Sequence, residues 1–227
     1  MQQRTRELPK WLPYVAPLVL FLVFTSFEQL KQVTSQGFYP SVYTAKIVIL
    51  TLLLWLARGL YPELKRNGKG VALGLLLGPL LTAAWVIIDH FTPHFKLLGS
   101  RSAFNPFEAI PDQRLCWLFI VIRLFGITAI APIIEELFYR AFLLRFVIKP
   151  DDFTQVPLGQ YDLTAFIVVV VLMASAHPEY LAAAVFSAAM NLLLFRTKNL
   201  CATIAAHAST NFWLAIYVLY FHAWKYW

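Results

Sequence analysis

The chain has 227 residues, of which 59% are hydrophobic and 14% are charged, and its formal net charge is +7. A soluble domain is typically about 45–50% apolar and about 25% charged, so this composition excludes a disordered chain, a coiled coil, a disulfide scaffold and an ordinary cytosolic enzyme. The sequence predicts an all-α fold, a polytopic transmembrane helical bundle with seven to eight membrane helices, in a single integral-membrane domain over residues 1–227.

Seven segments of the chain are candidates for membrane helices, which need about 20 apolar residues each. In chain order they are 11–27, 42–57, 71–88, 115–148, 163–179, 180–195 and 200–220. The fourth is too long for one straight crossing, so it predicts either a tilted helix kinked around Pro132 or a span followed by a surface helix. Tryptophans near the segment ends, Trp85 among them, are expected to anchor in the membrane interface.

Basic residues collect on one side of this predicted bundle. The loops on the side of the N-terminus hold Arg4, Arg6, Lys10, Arg58, Lys65, Arg66, Lys69, Arg140, Arg145, Lys149, Arg196 and Lys198. The opposite loops hold only Lys31, Lys96, Arg101, Arg114 and Lys225. Because basic loops stay in the cytoplasm, this distribution predicts a cytoplasmic N-terminus. Topology thus explains the net charge, and without a basic stripe interleaved with aromatic residues we expect no nucleic-acid partner.

Ionisable residues inside membrane helices are costly and mark functional sites by default, and here they concentrate in the C-terminal half. Glu136 and Arg140 are four residues apart, so on a helix they share a face and can form an ion pair. Glu135 lies about 100° around the helix and has no basic residue three or four positions away, which leaves it available as a general base or acid. The alternative is a helix end at the hydrated interface, where both acids serve only solubility.

Three more polar residues interrupt the apolar segments downstream. His207 and Asn211 are one helical turn apart, so one face presents two groups that can bind an oxyanion, a water molecule or a metal ion. His177 precedes Pro178, which cannot donate an amide hydrogen bond within a helix. At about 1.5 Å per residue, these side chains and Glu135 lie deep enough to converge if their helices are neighbours. The alternatives are an interhelical hydrogen bond that serves only packing and a lone structural histidine.

Together these motifs resemble those of the type II CAAX prenyl protease family, including the bacterial CPBP intramembrane proteases. The resemblance rests on Glu-Glu-x-x-x-Arg at 135–140, the histidine His177 near the end of the next span, and His-x-x-x-Asn at 207–211. It covers roughly residues 115–215, which we expect to carry the catalytic core. The family's second motif usually reads Phe-x-x-x-His, and here Met173 occupies the Phe position as a comparable apolar filler.

The resemblance implies an intramembrane endopeptidase that hydrolyses a peptide bond in a membrane-associated protein or peptide. It implies that Glu135 and His177 activate a water molecule, that His207 and Asn211 stabilise the oxyanion, and that Glu136 with Arg140 shapes the site. The expected location is a bacterial inner membrane, and the expected partners are the lipid bilayer and a protein or peptide substrate. The oligomeric state stays open.

Two further alternatives to this interpretation follow from the same residues. No cofactor is favoured, yet Glu135, His177 and His207 are the ligands that a zinc-dependent version of the protease would use. The sequence has no HExxH motif, and pairing of Glu136 with Arg140 leaves one free acid, so the glutamate-dependent mechanism is preferred. A non-catalytic membrane scaffold or immunity-type protein is the second alternative. A small proton-coupled transporter predicts an inverted repeat, and the sequence shows none.

Overall fold

The computed structural model describes residues 8–30, 37–65, 68, 70–93 and 103–227. Within these residues the regular structure is entirely helical, without a strand. The apolar helices are α1 (Leu12–Glu28), α2 (Tyr39–Ala57), α3 (Val71–Phe91), α4 (Gln113–Ile148), α5 (Leu163–Ser175), α6 (Tyr180–Thr197) and α7 (Leu200–Phe221). Each corresponds to one predicted segment, and the predicted fold class is confirmed.

Five of these helices are long and apolar enough to cross a membrane. They are α2 with the turn that follows it, α3, α4, α6 and α7, whereas α1 and α5 are shorter apolar helices. Large apolar side chains on the helix surfaces, such as Leu76, Leu80 and Val121, are mostly exposed. Exposed leucine and valine on this scale suit contact with lipid rather than water. The chain is therefore an all-α, polytopic bundle with between five and eight spans.

Side-chain caps set the ends of the helices that carry the polar motifs. Asp112, Asp162 and Asn199 each accept a hydrogen bond from a backbone N–H in the first turn of α4, α5 and α7, respectively. Lys198 ends α6 in the left-handed conformation, with φ of 52°. Only residues 198 and 199 separate α6 from α7, and the two helices contact each other through Phe186 and His207.

The connection between α5 and α6 corrects the predicted segment boundary at residue 179. Helix α5 ends at Ser175 and α6 begins at Tyr180, so His177 lies in the connection and not in a kinked helix. Pro178 has no N–H to donate and disfavours helical conformation in the residue before it, which explains the early end. The imidazole of His177 is therefore not oriented by a helix.

Helix α4 is continuous over 36 residues. It contains no separate surface helix, so that alternative is wrong, and the single helix agrees with the other one, whose kink around Pro132 stays a prediction. Two π-helical stretches, Gly126–Ile130 and Leu137–Leu143, flank the short α-helical stretch Ala131–Glu136 that carries both glutamates. The wider π turn accommodates a proline without breaking the helix, and π-helical turns frequently occur at functional sites.

Helices α3 and α7 pack closely because small residues line their contact. A Cβ atom on Gly78 would lie 2.0 Å from Ser209 Oγ. One turn farther along, the Thr82 hydroxyl donates to the Thr210 carbonyl oxygen at 2.8 Å. Small residues and interhelical hydrogen bonds are how helices associate where lipid removes the hydrophobic driving force. Helix α7, with its histidine–asparagine pair, is therefore held against the N-terminal half.

Two ionisable residues in the apolar helices, Lys46 and Arg123, contact polar or aromatic side chains of the bundle. Lys46 Nζ forms a buried ion pair with Glu28 Oε2 at 2.9 Å. Arg123 donates to the Tyr39 hydroxyl and lies 5.1 Å from the Trp227 ring centroid. The predictions that involve Arg4, Arg6, Lys31, Arg66, Lys69, Lys96 and Arg101 lie outside the described residues.

Candidate active site

The ion pair expected between Glu136 and Arg140 is present and completely buried. Arg140 Nη1 lies 3.3 Å from Glu136 Oε1, and neither side chain is exposed. A buried ion pair needs further hydrogen bonds to offset the loss of hydration. Arg140 Nη2 supplies two, to Oγ and the carbonyl oxygen of Ser187, both at 3.2 Å, and so ties α4 to α6. Sequence reasoning missed Ser187, because one serine in an apolar helix carries no signal of its own.

Met173 contacts this ion pair from α5. Its sulfur lies 3.5 Å from Arg140 Nη1, and its side chain is buried. Methionine therefore fills the position at which the type II CAAX prenyl protease family usually has phenylalanine. The carbonyl oxygen of Met173 also lies 2.8 Å from Nδ1 of His177. Because a carbonyl oxygen only accepts, this contact requires a proton on Nδ1 and leaves Nε2 of a neutral imidazole as an acceptor.

His207 lies between the two glutamates of α4. Its Nδ1 is 3.0 Å from Glu136 Oε1, and its Nε2 is 3.9 Å from Glu135 Oε2. An ionised carboxylate only accepts hydrogen bonds, so the proton of this contact is on Nδ1 and is donated to Glu136. The ring of Phe186 packs edge-on against the imidazole at 4.9 Å between centroids. The nitrogen that is left to face Glu135 and a bound ligand is therefore Nε2.

The two adjacent glutamates differ in their access to solvent. The Glu135 side chain is 15% exposed, whereas that of Glu136 is fully buried. Their positions about 100° apart on the helix put one carboxylate against Arg140 and the other at the edge of the site. This agrees with the prediction from spacing that Glu136, and not Glu135, pairs with Arg140.

A backbone feature of α4 fixes Asn211. In the π-helical stretch before Pro132, the N–H of Ala131 bonds to the Gly126 carbonyl oxygen, five residues back, and proline itself has no N–H. The Ile127 carbonyl oxygen therefore lacks both the donor that residue 131 would supply in an α-helical turn and the donor that residue 132 would supply in a π-helical turn. It accepts a hydrogen bond from Asn211 Nδ2 at 2.8 Å. The second N–H of the same amide remains for another acceptor.

His177 is connected to the other site residues through aromatic rings. The Trp85 ring packs edge-on against its imidazole, with 5.8 Å between centroids. Trp85 also packs against Phe186, the residue that contacts His207. Trp85 is buried, so the prediction that it anchors in the membrane interface is wrong. Sequence reasoning missed its role, because a tryptophan near a segment end is also what an interfacial anchor looks like.

The residues proposed as zinc ligands in the metal-dependent alternative were Glu135, His177 and His207. Among the described residues, no three His, Cys, Asp or Glu side chains are grouped so that they could hold a metal ion. Both histidines direct Nδ1 at protein oxygens, namely a carboxylate and a backbone carbonyl. Zinc-ligating histidines make the same Nδ1 contacts, so these contacts do not distinguish the two mechanisms, and the zinc-dependent alternative stays a prediction.

Comparison with known families covers the region that carries these residues. Residues 116–213 match the family model described as Type II CAAX prenyl endopeptidase Rce1-like. The resemblance indicated by the three motifs is thereby confirmed, and the matched region contains all six predicted site residues. The matched model describes an endopeptidase, and it covers less than half of the chain. Neither a search of the curated proteins nor a search of the solved structures found a match to the chain.

Proposed function

We propose that this chain is an intramembrane endopeptidase that hydrolyses a peptide bond in a membrane-associated protein or peptide. The observation that carries the proposal is the contact of one imidazole, that of His207, with a buried carboxylate at 3.0 Å and a partly exposed one at 3.9 Å. The distribution of basic residues supports a cytoplasmic N-terminus, and the family resemblance supports a bacterial inner membrane.

Glu135 is the proposed general base. Its carboxylate is the one that reaches the edge of the site and is not paired with Arg140. His177 is the proposed second group that activates the water, and the hydrogen bond from its Nδ1 to the Met173 carbonyl oxygen selects the neutral tautomer in which Nε2 is an acceptor. A water molecule loses a proton to Glu135 as its oxygen forms a bond to the peptide carbonyl carbon. Such general-base catalysis typically contributes about 10²–10⁴-fold.

His207 and Asn211 are the proposed donors to the oxyanion that forms on the carbonyl oxygen. A protonated His207 presents Nε2–H while Glu136 holds Nδ1, and Asn211 has one amide N–H beyond the one bonded to Ile127. Donors fixed in advance need no reorganisation during the reaction, and loss of one typically costs about 10²–10³-fold. When the intermediate collapses, the C–N bond breaks and Glu135 returns its proton to the leaving amine.

Cleavage by the purified, liposome-reconstituted protein tests the proposal. The substrates are a panel of intramolecularly quenched peptides attached to a membrane helix, each made with and without a C-terminal prenyl group. The parent protein is compared with Glu135→Ala, His177→Ala and His207→Ala, with and without a chelator, and with Glu108→Ala as an exposed acidic control outside the site. We expect the three site variants to lose at least about 100-fold in rate, while Glu108→Ala and the chelator leave the rate unchanged.

Three results would overturn parts of this proposal. If the three site variants cleave at the rate of the parent, the proposed residues are not catalytic. If neither the parent nor any variant cleaves a peptide of the panel, a non-catalytic scaffold explains the fold better. If the chelator abolishes cleavage and added zinc restores it, the protease is metal-dependent and Glu135 is not a simple general base.

A further inference from the structure

We infer that Trp85 of α3 is a positioning residue for the two histidines of the site, an inference that rests on the proposed function. Its indole ring meets the imidazole of His177 at 77° between planes, with 5.8 Å between centroids. Trp85 lies outside residues 116–213, the part of the chain that the family model covers. The N-terminal half therefore completes a site whose catalytic residues all lie in the C-terminal half.

A buried stripe along one face of α3 brings Trp85 to the site. Its members recur every three or four residues, and they are Gly74, Gly78, Thr82, Trp85 and Asp89. The two glycines let α3 approach α7 so closely that no Cβ atom fits at either position. Residues farther along the same face then reach beyond α7. Trp85 does so, because it contacts both α6 and the connection between α5 and α6.

Trp85 belongs to a row of four rings in the order His177, Trp85, Phe186, His207. The centroids of neighbouring rings are 5.8, 6.0 and 4.9 Å apart. All three contacts are edge-to-face, the arrangement that the charge distribution of aromatic rings favours. The row joins both imidazoles through packing: Trp85 restricts the orientation of His177 directly and that of His207 through Phe186.

His177 depends on this packing more than His207 does. His207 is carried by α7 and donates to Glu136, whereas His177 lies between two helices. The hydrogen bond from Nδ1 to the Met173 carbonyl oxygen holds one edge of the His177 ring. The edge-to-face contact with the Trp85 ring restricts the orientation of the imidazole further.

The ring of Trp85, rather than its indole N–H, provides this restraint. The N–H is buried and has no acceptor among the described residues, although a buried tryptophan usually hydrogen-bonds. An aromatic replacement should therefore retain the positioning role, and an aliphatic one of similar size should not. Trp85→Phe and Trp85→Leu make this comparison.

Kinetics of the reconstituted full-length protein give the first test. We expect Trp85→Leu to lower kcat by about 10- to 100-fold, the effect of misplacing a catalytic group by about 1 Å, while KM stays within about twofold. We expect Trp85→Phe to retain kcat within about threefold, since it keeps an edge-to-face contact. Trp227→Leu removes another buried tryptophan, outside the site, and should lower stability without lowering kcat per folded molecule.

Nitrogen NMR of the histidine side chains gives a second readout that does not depend on activity. The chain has five histidines, and the His177 signals are assigned by their loss in His177→Gln. In the parent and in Trp85→Phe we expect His177 to be the tautomer protonated at Nδ1. In Trp85→Leu we expect its ring signals to shift and broaden, and in Trp227→Leu to stay unchanged.

The two readouts separate the failure of this inference from the failure of the proposed function. Unchanged His177 signals in Trp85→Leu would overturn the positioning role, as would a kcat equal to that of the parent. If Trp85→Leu shifts the His177 signals but His177→Gln cleaves as well as the parent, the contact is real and the proposed catalytic role of His177 is wrong.

Discussion

Pro132 leaves the Ile127 carbonyl oxygen free to bind Asn211, and Pro132→Ala tests this directly. The substitution supplies an N–H five residues after Ile127, where a π-helical turn would use it, or allows an α-helical turn in which residue 131 bonds to the same carbonyl. Asn211 then loses an acceptor that it now binds at 2.8 Å. One such hydrogen bond is worth about 0.5–1.5 kcal/mol, which corresponds to about a 2- to 13-fold change in rate.

We therefore expect Pro132→Ala to cleave about 2- to 13-fold more slowly than the parent, with a melting temperature that is unchanged or higher, because proline is disfavoured within helices. The assay is kcat in liposomes together with thermal melting in detergent. Pro79→Ala is the matched control, since Pro79 is an exposed proline inside α3, and it should not change kcat. If Pro132→Ala keeps the kcat of the parent, the π-helical turn does not position Asn211.

Three further predictions concern packing and charge. Glu136→Gln should destabilise the fold by about 3–5 kcal/mol, because it leaves a buried guanidinium without its carboxylate. Gly78→Ala should cost about 1–3 kcal/mol through overpacking, whereas Gly59→Ala, with no neighbour within 4 Å of its added Cβ, should cost much less. The hydrogen bond from Lys10 holds the pKa of Asp152 below its ordinary value of 3.8. The Asp152 carboxylate therefore stabilises the folded protein fully above about pH 4, and this stabilisation is lost as the pH falls through the pKa of the folded state. Asp152→Asn should therefore show a smaller loss of melting temperature below about pH 4 than the parent does.

Thermal and chemical denaturation in detergent measure all three. A Glu136→Gln protein as stable as the parent would mean that its arginine partner finds other compensation. Equal costs for Gly78→Ala and Gly59→Ala would contradict the close approach of α3 to α7. If Asp152→Asn loses as much melting temperature at low pH as the parent does, the contact between Lys10 and Asp152 does not make the stability of the fold depend on pH.

The features that could be predicted from sequence are those set within one helix. Apolar runs located all seven helices, because an apolar segment in lipid satisfies its backbone N–H and C=O groups by forming a helix. The pairing of Arg140 with Glu136 rather than Glu135 followed from helical spacing alone. The end of α5 was placed too late, because a proline after a histidine predicts a kink or an end equally well.

The features that could not be predicted depend on which helices are neighbours. Nothing in the spacing of His207 and Asn211 indicates that one contacts a glutamate and the other a backbone carbonyl of α4. That carbonyl is available only because a π-helical turn precedes Pro132, and neither hydropathy nor residue spacing predicts such a turn. Trp85 reaches the site only because glycines bring α3 against α7, so its role emerges from packing between distant parts of the chain.

The rate of peptide-bond cleavage by Glu135→Gln, compared with the parent at equal amounts of folded protein, tests the proposed chemistry most directly. Glutamine keeps the shape of the side chain and cannot accept the proton of the attacking water. Products are identified by mass spectrometry after reaction in ¹⁸O-labelled water. We expect the parent to place ¹⁸O in the new C-terminal carboxylate and Glu135→Gln to cleave at least about 100-fold more slowly. Cleavage by Glu135→Gln at the rate of the parent would contradict the assignment of Glu135 as the general base.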